Sequence, residues 1–234
     1  MNQNRRIALV TGGNRGIGFG ICEELAKHGY HVLLGSRQES GRRQVDELLD
    51  KGHSVEFILL DVLNENDITN AFKYVSSKFG RLDVLINNAA IFLDNKEEDH
   101  SLSWDKFAKT MECNVYAPFK LIEIFAPLME TNNYGRIVNV SSGLGQLYKA
   151  TGTAPAYSIS KTALNAVTTY FASKYKNKNI LINSVCPGWV RTDMGGSNAS
   201  RTIEEGVTGI IWAATLDNEG PTGGFFRDGT KIYW

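Results

Sequence analysis

Little in these 234 residues points to a polymer or a membrane. Lysine plus arginine and aspartate plus glutamate both number 25, so the charges cancel. That argues against a nucleic-acid or anionic-membrane surface as the main partner. Cysteine is scarce. Cys22, Cys113 and Cys186 are odd in number, far apart and set among apolar residues; they read as reduced core thiols in a cytoplasmic chain. No apolar run approaches the ~18 residues of a membrane span. The run Ile7-Ala8-Leu9-Val10 behind Arg5-Arg6 ends at Thr11-Gly12, too short for a signal peptide. The histidines and cysteines show no metal-ligand spacing. Asn139-Val140-Ser141 and Asn198-Ala199-Ser200 match the glycosylation pattern, which carries no meaning in a cytoplasmic chain. Repeats, linkers and breaks in composition are also lacking.

What is present is 42% hydrophobic residues, enough for one sizeable core, and the expectation is a single domain over 1–234. Short β-branched runs alternate with helical patterns. Strands are expected at Ile7 to Val10, His31 to Leu34, Val55 to Leu60, Val84 to Ile86, Arg136 to Val140 and Ile180 to Cys186, with a short last one at Gly224 to Arg227. Helices are expected at Ile17 to His28, up to about Lys51, and at Asn64 to Lys78. A polar loop, Asp94 to Ser103, precedes a long helical region through Met129, and Ile203 to Leu216 is helical too. Parallel strands need crossover connections, so the alternation predicts a Rossmann-type α/β fold. It would be a doubly wound parallel sheet of about seven strands with helices on both faces.

Three stretches carry chemistry. Thr11-Gly12-Gly13-Asn14-Arg15-Gly16-Ile17-Gly18 joins the first strand to the first helix. Glycines there let the backbone approach a pyrophosphate while the helix N-terminus offers amide donors. At the end of the second strand, where an NAD-binding fold usually has an acid for the ribose 2′-hydroxyl, stand Ser36 and Arg37. An arginine suits a 2′-phosphate, and Arg15 could reach the same group, so the expected cofactor is NADP (NADPH). The other reading is two solvated surface arginines. Third, Tyr157 and Lys161 stand four apart on a predicted helix and share a face. An ammonium beside a phenol lowers its pKa and makes a proton donor or acceptor for a substrate oxygen.

Taken together the chain resembles the short-chain dehydrogenase/reductase family, in its NADPH-dependent carbonyl reductase branch, over essentially its whole length. Thr11 to Gly18 matches that family's glycine motif. Asn87-Asn88-Ala89-Ala90 matches its Asn-Asn-Ala-Gly, with Ala90 in place of the glycine. Asn114, Ser142, Tyr157 with Lys161, and Pro187-Gly188 match the rest, and Cys186 to Met194 carries the likeness to the branch.

The resemblance implies a role for each residue. Tyr157 would be the general acid in reduction, with Lys161 lowering its pKa and bonding the nicotinamide ribose. Ser142 would hold the substrate oxygen, in preference to its neighbour Ser141. Asn114 would keep a water chain from Lys161 to solvent. Asp61 and Val62 would flank the adenine, Asn88 with Ala89 and Ala90 the adenosine ribose side, and Val190 with Thr192, after Pro187 and Gly188, the carboxamide. The extra methyl of Ala90 should be tolerated.

The expected substrate is a small-molecule carbonyl or alcohol, with pocket walls from Ile91 to Ser103, Gly143 to Thr153 and Asp193 to Arg201. Leu144, Leu147, Tyr148, Trp189 and Met194 are the apolar candidates, and Glu97-Glu98-Asp99 reads as a solvated loop. Alternatives are a dedicated biosynthetic step, such as reduction of a 3-oxoacyl thioester, and a non-catalytic NADP(H)-sensing protein. The opposite face of the Tyr157 helix carries Ile159, Ala163, Ala166 and Tyr170, and only 14 residues separate Ser142 from Tyr157. Some reductases of the branch carry a long insertion there. Its lack leaves the surface free, and a homodimer or homotetramer is expected.

Overall fold

The structure, a computed structural model, describes residues 5–94 and 103–234. Eight strands form one sheet in the order β3-β2-β1-β4-β5-β6-β7-β8. They are β1 (Ile7–Thr11), β2 (His31–Ser36), β3 (Val55–Leu59), β4 (Val84–Asn87), β5 (Gly135–Val140), β6 (Ile180–Val185), β7 (Phe225–Arg227) and β8 (Thr230–Lys231). All neighbours pair in parallel except β7 and β8, which are antiparallel. The seven strands read from the sequence are all present. The eighth follows a tight turn in which Asp228 (φ 51°) and Gly229 (φ 74°) both take left-handed backbone, the geometry a two-residue hairpin needs.

The helices are α1 (Gly16–Lys27), α2 (Arg42–Asp50), α3 (Glu65–Phe79), α4 (Trp104–Met111), α5 (Ala117–Thr131), α6 (Pro155–Lys174) and α7 (Ile203–Ala214). Their ends follow local chemistry. The Asn64 side chain accepts from Asn66 N–H and Asp67 N–H to start α3, and Gly80 in left-handed backbone ends it. Thr202 and Glu205 form a capping box at α7.

Alternate residues of each strand face opposite sides of the sheet. Leu9, Leu33, Leu85, Ile137 and Ile182 pack with Ile68, Val75, Leu121, Phe125 and Phe171 of α3, α5 and α6. Val10, Leu34, Ile86, Val138 and Val185 pack with Ile21, Leu25, Leu48, Val207 and Ile210 of α1, α2 and α7. Both faces are covered, which is why β1, β4, β5 and β6 are buried along their whole length.

The long helical region before Met129 is not uniform. A π-helical turn, Glu112–Tyr116, separates α4 from α5. It places the buried Asn114 side chain against Ile91 and α6. Such turns recur at functional sites. The Glu97-Glu98-Asp99 loop and the pocket wall at 95–102 lie outside the described residues.

Candidate active site

The carboxyl ends of the parallel strands share one edge of the sheet, where ligands of open α/β folds bind. The candidate cofactor and catalytic residues among those described come from the turns, loops and helices that follow these strands. The β1–α1 turn is tight: a Cβ on Gly18 would lie 2.1 Å from the Gly12 carbonyl oxygen, and Gly12 has φ +63°. Asn88 holds this turn, its Nδ2 donating to Thr11 O at 2.9 Å and Gly12 O at 3.2 Å. The Asn88 and Ala89 N–H groups both donate to Thr11 Oγ1 at 3.0 Å. Asn88 is thus a staple for the glycine turn, and Thr11, the first residue of the glycine motif, is its counterpart. Asn14, Ile17 and Ala90 are half-buried beside it. Arg15 at the N-cap of α1 makes no side-chain capping bond and no acid stands in the first turn, which leaves the helix N-terminus suited to an anion.

At the end of β2 the Ser36 hydroxyl is buried and closes a turn with Gln38, and Arg37 is exposed next to it. Arg15 instead pairs with Asp193, Nη1 to Oδ2 at 2.6 Å. Asp61 accepts from Leu63 N–H, and Val62 packs into the core with Ile68. After β6, Gly188 has φ +80° and a Cβ there would lie 2.5 Å from Arg201 Cδ. Arg201 grips both oxygens of Asp228, at 2.8 and 3.0 Å, and so underpins Pro187 to Arg191. Val190 is buried, and the Thr192 methyl would lie 3.2 Å from a Cβ on Gly16, tying this loop to the glycine turn. Compact glycines, open helix donors, and a β2 end with arginine and no acid all fit a dinucleotide bearing a 2′-phosphate.

Tyr157 and Lys161 stand on the buried face of α6, with Leu164 and Thr168. Lys161 Nζ donates to Val140 O at 2.8 Å and lies 5.5 Å from the Tyr157 ring centroid. The sequence predicts a phenol of lowered pKa. In this structure burial instead pushes the Tyr157 phenol up; Cys186 adds to that, and only the Ser142 hydroxyl acts against it. Burial also brings the Lys161 ammonium down to about 8, opposed by Cys113 and Cys186. Desolvation dominates both groups and disfavours both charged forms.

Of the two adjacent serines, Ser141 turns its hydroxyl to the Lys161 carbonyl at 3.4 Å, while Ser142 stands beside the phenol. The Asn114 amide exchanges two bonds with the Ile91 backbone, at 2.9 and 3.0 Å, and donates to Ser160 Oγ at 3.0 Å. It ties the loop after β4 to α6. Two further residues of that loop, expected from the sequence only as part of the Ile91 to Ser103 pocket wall, meet the start of α6. Phe92 stacks on Tyr157, and the buried Asp94 accepts from Ala156 N–H at 2.7 Å and Tyr157 N–H at 3.4 Å. Asp94 thereby caps a helix whose own preceding residue, Ala154, sits in left-handed backbone and offers no cap.

Leu147, Tyr148, Trp189 and Met194 are exposed at this edge, and Tyr148 packs edge-on against Tyr233. Among the described residues no group of three or more His, Cys, Asp or Glu could hold a metal ion, and no helix is long and apolar enough to cross a membrane.

Comparison with known proteins agrees with this geometry. The family model described as short chain dehydrogenase matches residues 6–202. A (+)-neomenthol dehydrogenase of Arabidopsis thaliana is 33% identical, over 94% of this chain and 95% of that protein. Carbonyl reductase [NADPH] 1 of Sus scrofa is 31% identical, over 100% of this chain and 96% of its own. The crystal structure of NADPH-bound carbonyl reductase from chicken fatty liver superposes with a TM-score of 0.86 at 27% identity, covering 98% of this chain and 99% of that one.

Proposed function

The chain belongs to the short-chain dehydrogenase/reductase family, and we propose that it reduces aldehyde or ketone carbonyls to alcohols with NADPH. It is an NADP-dependent oxidoreductase of the carbonyl reductase type. The observation that carries the reading is the buried Tyr157–Lys161 pair beside Ser142 at the sheet edge that also bears the glycine turn.

Bound NADPH supplies a hydride for the carbonyl carbon. The residues that would hold it are the Gly12–Gly18 turn and the α1 N-terminus for the pyrophosphate, with Arg37 and Arg15 for the 2′-phosphate. Asp61 and Val62 would serve the adenine, Asn88 to Ala90 the adenosine ribose, and Pro187, Gly188, Val190 and Thr192 the carboxamide. Tyr157 gives its phenolic proton to the carbonyl oxygen. Ser142 donates a hydrogen bond to that oxygen as negative charge develops on it. Lys161, held by Val140 O, lies near the phenol and would bond the nicotinamide ribose, and its charge favours the phenolate that remains after proton transfer. Asn114 fixes the loop and helix that carry these groups.

The domain is taken as 1–234 and the chain as cytoplasmic. We take the assembly as a homodimer or homotetramer. In support, Ile159 and Tyr170 are exposed on the outer face of α6, and Phe119 of α5 stacks on Tyr170 with centroids 6.1 Å apart. A panel of aldehydes, ketones and a 3-oxoacyl thioester, read by loss of NADPH absorbance, tests the reading. Turnover of several simple carbonyls supports it. Turnover of the thioester alone would assign a dedicated biosynthetic step, and no turnover with intact NADPH binding would leave a sensing protein.

A further inference from the structure

A cation that no acid among the described residues balances stands on the Tyr157 side of the sheet. Arg227 ends β7 at the carboxyl edge. Ser184 pairs with Phe225 and Val185 with Phe226, so Arg227 comes level with Cys186. By the two-residue period it shares the face of Phe225 and Ser184. The Ser184 hydroxyl meets Thr168 of α6 at 2.7 Å, so this is the face that carries Tyr157 and Lys161.

The guanidinium reaches inward. Its Nη2 lies 3.0 Å from Cys186 Sγ, and a Cβ on Gly143 would be 3.0 Å from the same nitrogen and 4.0 Å from that sulfur. Gly143 follows Ser142 directly, and a side chain there would crowd the guanidinium. Among the described residues, Cys186 sulfur is the one hydrogen-bond partner of the Arg227 side chain, and no carboxylate oxygen lies within 4.0 Å of its nitrogens. Its Nε is buried and has no hydrogen-bond partner among the described residues. The adjacent Asp228 gives both its oxygens to Arg201.

Buried polar groups in native structures are nearly always satisfied. Leaving a permanent cation half desolvated against a thiol is costly. The planar fork of an arginine matches a carboxylate with two parallel bonds. Arg227 is partly exposed, so a ligand at this edge can reach it.

We propose that Arg227 is an anion-recognising residue of the substrate pocket, so that the preferred substrates are carbonyl compounds bearing a carboxylate. The proposal rests on the reductase reading above and adds the substrate class. The carboxylate would bond the guanidinium while the carbonyl oxygen lies between Ser142 and Tyr157.

Phenylglyoxylate and its methyl ester present the same ketone with and without the charge. The parent enzyme should favour the acid in kcat/KM. Arg227→Gln should lower the acid-to-ester ratio roughly ten- to hundred-fold, mostly through KM for the acid, as loss of a charge-assisted bidentate pair implies. Arg227→Lys keeps the charge without the fork and should recover part of the ratio. An equal loss with both substrates would make Arg227 a purely structural residue and overturn the proposal.

Calorimetric titration with benzoate and with benzamide separates this site from the reductase reading. Benzoate should bind at least tenfold more weakly to Arg227→Gln, with benzamide indifferent. Benzoate that fails to bind the parent, or binds both proteins alike, overturns the proposal whatever the turnover. Arg227-dependent benzoate binding without reduction of either keto compound would support the anion site and overturn the reductase reading alone.

Discussion

The ring of Phe92 lies stacked on the ring of Tyr157, with centroids 4.2 Å apart and planes inclined by 23°. Phe92 comes from the loop after β4 and Tyr157 from the first turn of α6. Their stacking covers one face of the phenol ring. Such pairs are worth about 0.5–1.5 kcal/mol beyond their burial. Phe92→Ala should therefore lower kcat by up to about tenfold while the NADPH dissociation constant, read by fluorescence titration, stays within about twofold. A loss carried wholly by cofactor affinity would contradict this positioning role.

Lys161 makes folding stability depend on pH. Burial brings its ammonium from 10.5 to about 8. Between those values the unfolded chain holds a proton that the folded chain does not, so this group's contribution to stability rises with pH across that window. Below about 8 the folded protein carries the charge and the penalty is at its full value. A shift of 2.5 units corresponds to about 3 kcal/mol at most. Lys161→Met removes that penalty and leaves Val140 O without its donor, which costs about 1 kcal/mol. Denaturant titrations should find the variant more stable by about 2 kcal/mol at pH 7, with the gap closing toward pH 10. A gap independent of pH would contradict the assignment.

Cofactor choice tests the β2 end. Arg15 rests on Asp193, but both side chains are largely exposed, at 69% and 78%. Such a pair is worth about 0–1 kcal/mol, less than a charge-assisted bond to a phosphate. Arg15 can therefore leave Asp193 for the 2′-phosphate. We expect kcat/KM to favour NADPH over NADH by roughly one to three decades. Arg37→Ala should shrink the ratio about tenfold, and higher salt should shrink it further. Ser36→Asp keeps an acceptor for Gln38 N–H and sets a carboxylate against the phosphate, so it should push the preference toward NADH. A ratio indifferent to both substitutions would place the phosphate elsewhere.

The outer face of α6 predicts assembly. Ile159 is 49% and Tyr170 55% exposed, an unusual display for two apolar side chains on one helix face. Light scattering at micromolar concentration should give a dimer or tetramer. Charged residues introduced together, Ile159→Glu with Tyr170→Glu, should yield a monomer. A parent that is itself a monomer of 25.9 kDa would refute the expectation.

Much of this was legible in the chain. Periodicity located seven strands and the helices because both faces of the central sheet are buried and strands such as β1 and β4 read as apolar runs. The glycine turn, Ser36-Arg37 and the Tyr157–Lys161 spacing were legible because each depends on residues adjacent in sequence. Contacts between distant loops were not. Nothing near Arg15 indicates that it pairs with Asp193, nor anything near Phe92 or Asp94 that they meet the start of α6. Those contacts depend on how the loops after β4 and β6 cross the sheet edge. The phenol's pKa was misjudged for a related reason. Sequence supplies the neighbouring lysine but not the depth of burial, and here burial is the larger effect. The π-helical turn at Asn114 broke an otherwise uniform helical pattern without any glycine to mark it.

The central claim is that Tyr157 is the proton donor, and Tyr157→Phe tests it most directly. The substitution removes one oxygen and keeps the ring that stacks on Phe92. NADPH binding, measured by fluorescence, should be retained, while kcat for a simple ketone falls by ~10² to 10⁴, the usual worth of a positioned general acid. Activity within a few-fold of the parent, with binding intact, would contradict the account.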